Sequence, residues 1–170
     1  MKGSPTAARA GFLALAAVSA AAVAAAVAAQ HLLDMQPCPW CILQRVIFLA
    51  ISLVAVIAAL GIGARPSAWR RRLTGASAGV LAALSAAGVA TAAYQHLVAS
   101  KSSSCAMTLA DRIVSGLGLD RWQPEVFEVR ASCAEAAVSV LGVPFELWSL
   151  LLFVVLGSAG VMLALRAGRR

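Results

Sequence analysis

Four long, uncharged, apolar runs limit the possible folds of this sequence more than any other feature. The runs are Ala10–Gln30, Val46–Ala64, Leu73–Gln95 and Leu147–Leu165. Each is long enough to cross the roughly 30 Å hydrocarbon core of a bilayer as an α-helix. Because 61% of the residues are hydrophobic and only 12% are charged, the chain cannot cover a globular surface with polar groups. The sequence predicts an all-α fold, an integral membrane four-helix bundle.

We expect a single membrane domain over residues 1–170. Its predicted membrane spans lie at about 10–30, 42–64, 73–97 and 145–166. The predicted periplasmic loops lie at about 31–41 and 98–144. A cleaved signal peptide is an alternative for the first run, but this run is longer than the apolar part of such peptides. The Gly75-x-x-x-Gly79 spacing predicts a close helix–helix contact in the third span. The long polar loop connects helices 3 and 4.

Basic residues are divided unequally between the two sides of the predicted bundle. The N-terminus, a basic loop at residues 65–72 and the C-terminus together hold nine of the 14 Lys and Arg residues and none of the seven acidic residues. By the positive-inside rule, both termini lie in the cytoplasm and all four cysteines on the outer side. In a bacterium, this outer side of the inner membrane is the periplasm, where disulfides persist, so we expect a multi-pass membrane protein with its cysteines on that side. Nucleic-acid binding is not expected, because the basic residues behind the net charge of +7 cluster beside the apolar runs and do not form a basic face.

The C-x-x-C segment at Cys38–Cys41 favours either metal binding or thiol–disulfide exchange. A structural zinc site usually takes two close pairs, whereas Cys105 and Cys133 are far apart in sequence; a four-cysteine metal site is therefore the weaker alternative. Cys41 falls near the predicted start of the second helix, where the helix end stabilises a thiolate. Arg45 follows on the same helical face. It either anchors to lipid phosphate or holds an anionic or carbonyl-bearing acceptor beside Cys41.

The other two cysteines, Cys105 and Cys133, lie in the long polar loop. A bridge between them would stabilise the fold by roughly 3–4 kcal/mol in the chain-entropy model, so a purely structural staple is one interpretation. Cys105, however, follows Ser102, Ser103 and Ser104, which is typical of an accessible segment. Two disulfides of different exposure on one membrane face favour an electron relay over bracing.

Three segments together resemble a known family. They are CPWCILQR, LGLDRWQPEVFEVRASCAE in the long loop, and LGVPFELW at the start of the last span. With these segments the chain resembles the disulfide bond formation protein B (DsbB) family, the quinone-linked thiol oxidases of the bacterial inner membrane. The resemblance implies a four-helix bundle, ubiquinone or menaquinone as the acceptor, and a periplasmic DsbA-like thiol–disulfide protein as the partner.

The resemblance also implies a role for each cysteine. Cys38 and Cys41 form the quinone-linked pair, and Cys105 and Cys133 form the pair that faces the partner protein. Cys105 makes the mixed disulfide with the partner, and the freed Cys133 attacks Cys38. All four cysteines are therefore candidate catalytic residues.

Two further residues are candidates for binding the quinone. The resemblance implies that Arg45 contacts it, and His96 lies in the region of a family histidine near the end of the third span, which makes it a weaker candidate. A quinone-coupled thiol enzyme of the vitamin K epoxide reductase type is the alternative. In that class we expect the C-x-x-C near the start of the last span, whereas here it precedes the second.

Overall fold

The computed structural model describes residues 5–63, 67–101 and 108–168. Its helices, in chain order, are α1 (Pro5–Leu32), α2 (Pro39–Gly63), α3 (Ser67–Leu97), α4 (Leu109–Gly116), α5 (Leu119–Trp122), α6 (Pro124–Phe127) and α7 (Phe145–Gly168), and a 3-10 turn covers Ala99–Lys101. Four of these helices, α1, α2, α3 and α7, are long and apolar enough to cross a membrane. The predicted all-α fold of four membrane helices is confirmed.

The long helices begin and end where local chemistry allows. Asp34 adopts a left-handed conformation, with a φ of 53°, shortly after α1 ends. The helix α2 begins at Pro39, where a proline loses no hydrogen bond because the first turn has no partner for its missing N–H. The basic loop expected at residues 65–72 is wrong in part, since Arg70, Arg71 and Arg72 lie inside α3. Arginine is a good helix former, so charge ends the apolar span without ending the helix. Arg65 lies outside the described residues.

Helix packing depends on glycines other than the predicted pair. The helix α3 packs along α7, and α2 packs against both α1 and α3. A Cβ added at Gly88 would overlap the ring of Phe153, and one at Gly157 would lie 2.9 Å from the Cβ of Ser85. Gly75 and Gly79 have no other described atom within 4 Å of an added Cβ. The predicted Gly75-x-x-x-Gly79 contact is therefore wrong within the described part of the chain.

The connection between α3 and α7 is folded onto the bundle. Thr108 caps α4 through a reciprocal capping box with Asp111. Phe127 of α6 is buried with Val114 of α4 against Ile42 of α2. A two-stranded antiparallel hairpin, β1 (Ser139–Val140) and β2 (Val143–Pro144), leads into α7. These contacts hold the connection against the N-terminal end of α2, where the first two cysteines lie.

Candidate functional site

Three of the four cysteines predicted to be catalytic lie close together at the N-terminus of α2. The Sγ atoms of Cys38 and Cys41 are 2.8 Å apart, and the thiol of Cys133 is hydrogen-bonded to that of Cys38. Cys38 and Cys133 are buried. Cys105 lies outside the described residues. The fold therefore brings a loop cysteine to the C-x-x-C pair across a long stretch of sequence.

The first turn of α2 supplies backbone donors to two of these sulfurs. Pro39 has no N–H, the Trp40 N–H donates to Cys133 Sγ, and the Cys41 N–H donates to Cys38 Sγ at 3.4 Å. Free amides at a helix N-terminus carry partial positive charge and stabilise anions. The helix end was expected to act on the Cys41 sulfur, but its amides reach Cys38 and Cys133, because Cys41 already lies inside the first turn.

The hydrogen bond between Cys38 and Cys133 divides the charge unequally between the two sulfurs. It lowers the pKa of Cys133 from its ordinary value, and the Trp40 N–H acts in the same direction. The same hydrogen bond raises the pKa of Cys38, and burial raises it further. Cys133 is thus the sulfur that more readily carries negative charge, and Cys38 is the one that keeps its proton. A thiolate is the attacking group in disulfide exchange, so this arrangement suits attack by Cys133.

A glutamine pair holds the third sulfur. Gln95 of α3 donates from Nε2 to Cys41 Sγ at 3.2 Å. Gln44 of α2 donates to Gln95 Oε1 at 2.7 Å, which fixes the Gln95 amide with its NH2 group toward the sulfur. Both glutamines are buried. The Cys41 sulfur therefore has a side-chain donor from α3 in addition to the backbone N–H of Cys38.

Arg45 is turned into the protein, with only 5% of its surface exposed. Its Nη1 donates to Gln30 Oε1 at 3.0 Å and to the Val126 carbonyl at 2.8 Å. Its Nη2 donates to the Ala26 carbonyl at 3.4 Å. Two N–H groups, on Nε and Nη2, make no hydrogen bond to any residue in the described part of the chain. Burial of this kind does not fit an anchor to lipid phosphate.

A cavity of about 200 Å³ opens beside Cys41 and Arg45. Its polar lining consists of Gln36, Cys41, Gln44, Arg45, Gln95, Glu146 and Ser149, and its apolar lining includes Ala22, Val23, Ala26, Phe48 and Leu152. Glu146, at the start of α7, is 4% exposed. The arrangement combines apolar walls with a few convergent polar groups, as small-molecule sites usually do.

His96 lies behind this cavity and is not among the residues that line it. Its Nδ1 is 2.8 Å from Glu146 Oε1, so it contacts the cavity only through Glu146. Sequence analysis did not single out Gln30, Gln95 or Glu146. The signal that could have found them is their type, since amide and acidic side chains at the ends of apolar spans tend to be functional.

In the described ranges, 5–63, 67–101 and 108–168, no group of three or more His, Cys, Asp or Glu residues is arranged to hold a metal ion.

The family model for disulfide bond formation protein DsbB matches residues 8–163. The chain belongs to the disulfide bond formation protein B family. The family resemblance drawn from the three sequence segments is therefore confirmed, and it makes the chain a membrane protein of disulfide bond formation and a disulfide oxidoreductase.

Relatives in this family cover most of the chain. The disulfide bond formation protein B of Ralstonia nicotianae is 34% identical over 163 residues, which are 95% of this chain and 97% of that protein. The relative from Cupriavidus metallidurans is 31% identical over 146 residues, 85% of each chain. Disulfide bond formation protein B 1 of Pseudomonas syringae pv. syringae is 39% identical over 127 residues, 74% of this chain and 70% of the relative. With four candidate spans, the protein is a multi-pass membrane member of the family.

Proposed function

We propose that this DsbB-family protein reoxidises a periplasmic DsbA-like thiol protein and passes the electrons to membrane quinone through two cysteine pairs. One observation carries the proposal. Cys133 is hydrogen-bonded to Cys38, while Cys41, 2.8 Å from Cys38 between the two Sγ atoms, lines the cavity. The sulfurs therefore form a continuous route from the long loop to a site with room for a small acceptor.

The exchange steps balance without an added oxidant. A thiolate of the partner attacks Cys105, forms a mixed disulfide and releases Cys133 as a thiolate. Cys133 attacks Cys38, so that the Cys38–Cys133 bond forms, the Cys38–Cys41 bond breaks and Cys41 leaves as a thiolate. The partner's second thiolate then displaces Cys105, which attacks Cys133 and releases Cys38. The partner has gained a disulfide, and Cys38 and Cys41 hold its two electrons.

The residues around the cavity fit a quinone head group. A cavity of about 150 Å³ in another protein holds a benzene ring, so about 200 Å³ gives room for one substituted ring. A quinone held there would supply the acceptor for the two electrons and two protons of the reduced Cys38 and Cys41 pair. Arg45 has two N–H groups left with which to bind a carbonyl oxygen, and Gln95 holds the Cys41 sulfur at the cavity wall. Either ubiquinone or menaquinone suits these groups.

For His96 the structure supports an indirect role in quinone binding. His96 contacts Glu146 and orients its carboxylate. Glu146 in turn lines the cavity.

We further propose that both termini lie in the cytoplasm and that the cysteines face the periplasm of a bacterial inner membrane. The support is the distribution of basic residues, which follows the positive-inside rule.

The test is oxidation of a purified, reduced DsbA-like protein by this chain in detergent, with and without added quinone. Arg45→Ala should raise the apparent quinone KM by about 10- to 150-fold, because a hydrogen bond to a charged group contributes roughly 1.5–3 kcal/mol. Arg45→Lys should be impaired less, since it keeps the charge but loses the planar fork. Arg112→Ala is the control, because Arg112 is exposed on α4. Oxidation that does not depend on quinone, or an unchanged KM in Arg45→Ala, would overturn the assignment.

A further inference from the structure

The hydrogen bonds of Arg45 connect the cavity to the loop that carries Cys133. We propose that Gln30 and Arg45 hold α6 against the bundle, and that this attachment keeps Cys133 beside Cys38. Arg45 and Gln30 are then positioning residues for the step between the cysteine pairs, in addition to any contact with an acceptor. The inference rests on the proposed relay, in which Cys133 attacks Cys38.

Three hydrogen bonds join α1, α2 and α6 in a closed triangle. Arg45 of α2 donates to Gln30 Oε1 of α1 at 3.0 Å. The same nitrogen donates to the Val126 carbonyl of α6 at 2.8 Å. Gln30 completes the triangle by donating from Nε2 to the Glu125 carbonyl at 3.3 Å. Two side chains thus bind two successive carbonyl groups of α6.

The segment that follows α6 is attached in turn to the residue before Cys38. The backbone N–H groups of Arg130 and Ala131 donate to the Pro37 carbonyl at 3.0 and 3.2 Å. Two residues farther along, Cys133 reaches Cys38. The position of Cys133 therefore depends on where α6 ends. The hydrogen bonds of Gln30 and Arg45 fix α6 in turn.

The surface charges near α6 contribute less than the buried contacts. Glu125 lies 3.4 Å from His31 and 3.5 Å from Arg130, but its side chain is 60% exposed. Exposed ion pairs are screened by solvent and contribute little. Gln30 and Arg45 are 3% and 5% exposed, and a buried donor that loses its partner has no water to replace it. Gln30 and Arg45 therefore contribute more to the attachment of α6 than these ion pairs do, and they act together with the buried contact of Phe127 on Ile42.

The consequence for the chemistry is proximity. When Cys133 attacks Cys38, one S–S bond forms and one breaks, Cys41 leaves as a thiolate, and no electrons are gained or lost by the chain. Holding two reacting groups at contact distance accelerates such a step by making it effectively unimolecular. If α6 separated from the bundle, Cys133 would search a larger volume and the attack would slow.

Disulfide trapping tests this positioning without quinone or a partner protein. Cys41→Ser and Cys105→Ser leave Cys38 and Cys133, and copper–phenanthroline takes the two electrons as these form a bridge, with two protons passing to water. The bridged fraction against time is read from gel mobility after alkylation. Gln30→Leu should slow bridging about tenfold, which is the effect of losing roughly one hydrogen bond to a charged group.

Two matched variants make the result specific to the triangle. Ser52→Ala removes another hydrogen bond between α2 and α1, from Ser52 Oγ to the Ala16 carbonyl at 3.1 Å, and should leave bridging unchanged. Gln30→Glu keeps an oxygen acceptor for Arg45 but loses the Nε2 donor to the Glu125 carbonyl, so its rate should lie between those of Gln30→Leu and the unmodified residue. Gln30 does not line the cavity, so quinone KM in the otherwise unmodified chain should change far less in Gln30→Leu than in Arg45→Ala.

The outcomes separate this proposal from the proposed function. If Gln30→Leu bridges as fast as Ser52→Ala, other contacts hold α6 and the positioning role is wrong. If both variants slow the reaction, the cause is general loosening of the bundle, and the role is also wrong. A chain that traps as expected but oxidises no partner protein would keep the positioning role and refute the quinone-linked relay.

Discussion

Substitution of Gly88 by alanine tests the packing that supports the site. The ring of Phe153 is fully buried and stacks on Phe48, with 4.0 Å between ring centroids and 7° between planes. An alanine Cβ at Gly88 would overlap three atoms of the Phe153 ring. Phe48 already contacts that ring, which restricts its movement away from the added methyl group. Overpacking of this kind typically costs 1–3 kcal/mol, and the better helix propensity of alanine offsets about 1 kcal/mol. We therefore expect a net loss of up to about 2 kcal/mol.

The free energy of unfolding is measured by denaturant titration in detergent micelles. Gly79→Ala is the control, because it lies on the same helix and has no other described atom within 4 Å of the added Cβ; it should be neutral or slightly stabilising. Combining Gly88→Ala with Phe153→Leu should destabilise by at least about 1 kcal/mol less than the sum of the single changes, since contacting sites couple. If Gly88→Ala is as stable as Gly79→Ala, the close approach of α3 and α7 is wrong.

Two further predictions concern the cysteines. In the reduced protein, alkylation of Cys133, followed peptide by peptide with mass spectrometry, should titrate at a lower pH than an ordinary thiol, because a lowered pKa leaves more thiolate at each pH. Cys38→Ala should move that midpoint upward by removing the hydrogen bond that lowers the Cys133 pKa; an unmoved midpoint would exclude this cause. A membrane-impermeant thiol reagent should label Cys105 from the periplasmic side of reduced cells, and labelling only from the cytoplasmic side would reverse the proposed topology.

The four-helix fold could be predicted from sequence because apolar length is a local property. The length of each uncharged run is enough to predict one membrane span, and this prediction does not depend on how the other helices pack. Helix ends were predicted less well, since Arg70–Arg72 mark the edge of the apolar span while the helix continues through them. The Gly75-x-x-x-Gly79 pattern failed for a related reason. The spacing puts both glycines on one face, but only tertiary packing determines that Gly88 faces a neighbouring helix.

Residue spacing predicted the site only as far as sequence neighbours extend. Cys38, Cys41 and Arg45 lie within two turns of one another, so their spacing alone indicates a shared face. The approach of Cys133 to Cys38 was expected only from the family resemblance, because it depends on the folded connection between α3 and α7, for which the sequence offers no periodic pattern. Gln95 was missed, because its bond to the Cys41 sulfur joins two separate helices.

The buried polar side chains at one end of the bundle are poorly explained as elements of stability. Gln30, Gln44, Arg45 and Gln95 are each 3–5% exposed, and their hydrogen bonds offset a desolvation cost that apolar residues would not incur. If they served packing, they would be expected throughout the apolar spans. Instead, the buried amide and ionic groups in the described residues lie in the last turns of α1 and α3 and the first turns of α2 and α7, whereas the other buried polar side chains carry only hydroxyl groups. Their common neighbours are the cysteine sulfurs and the cavity, so we attribute their position to the chemistry there.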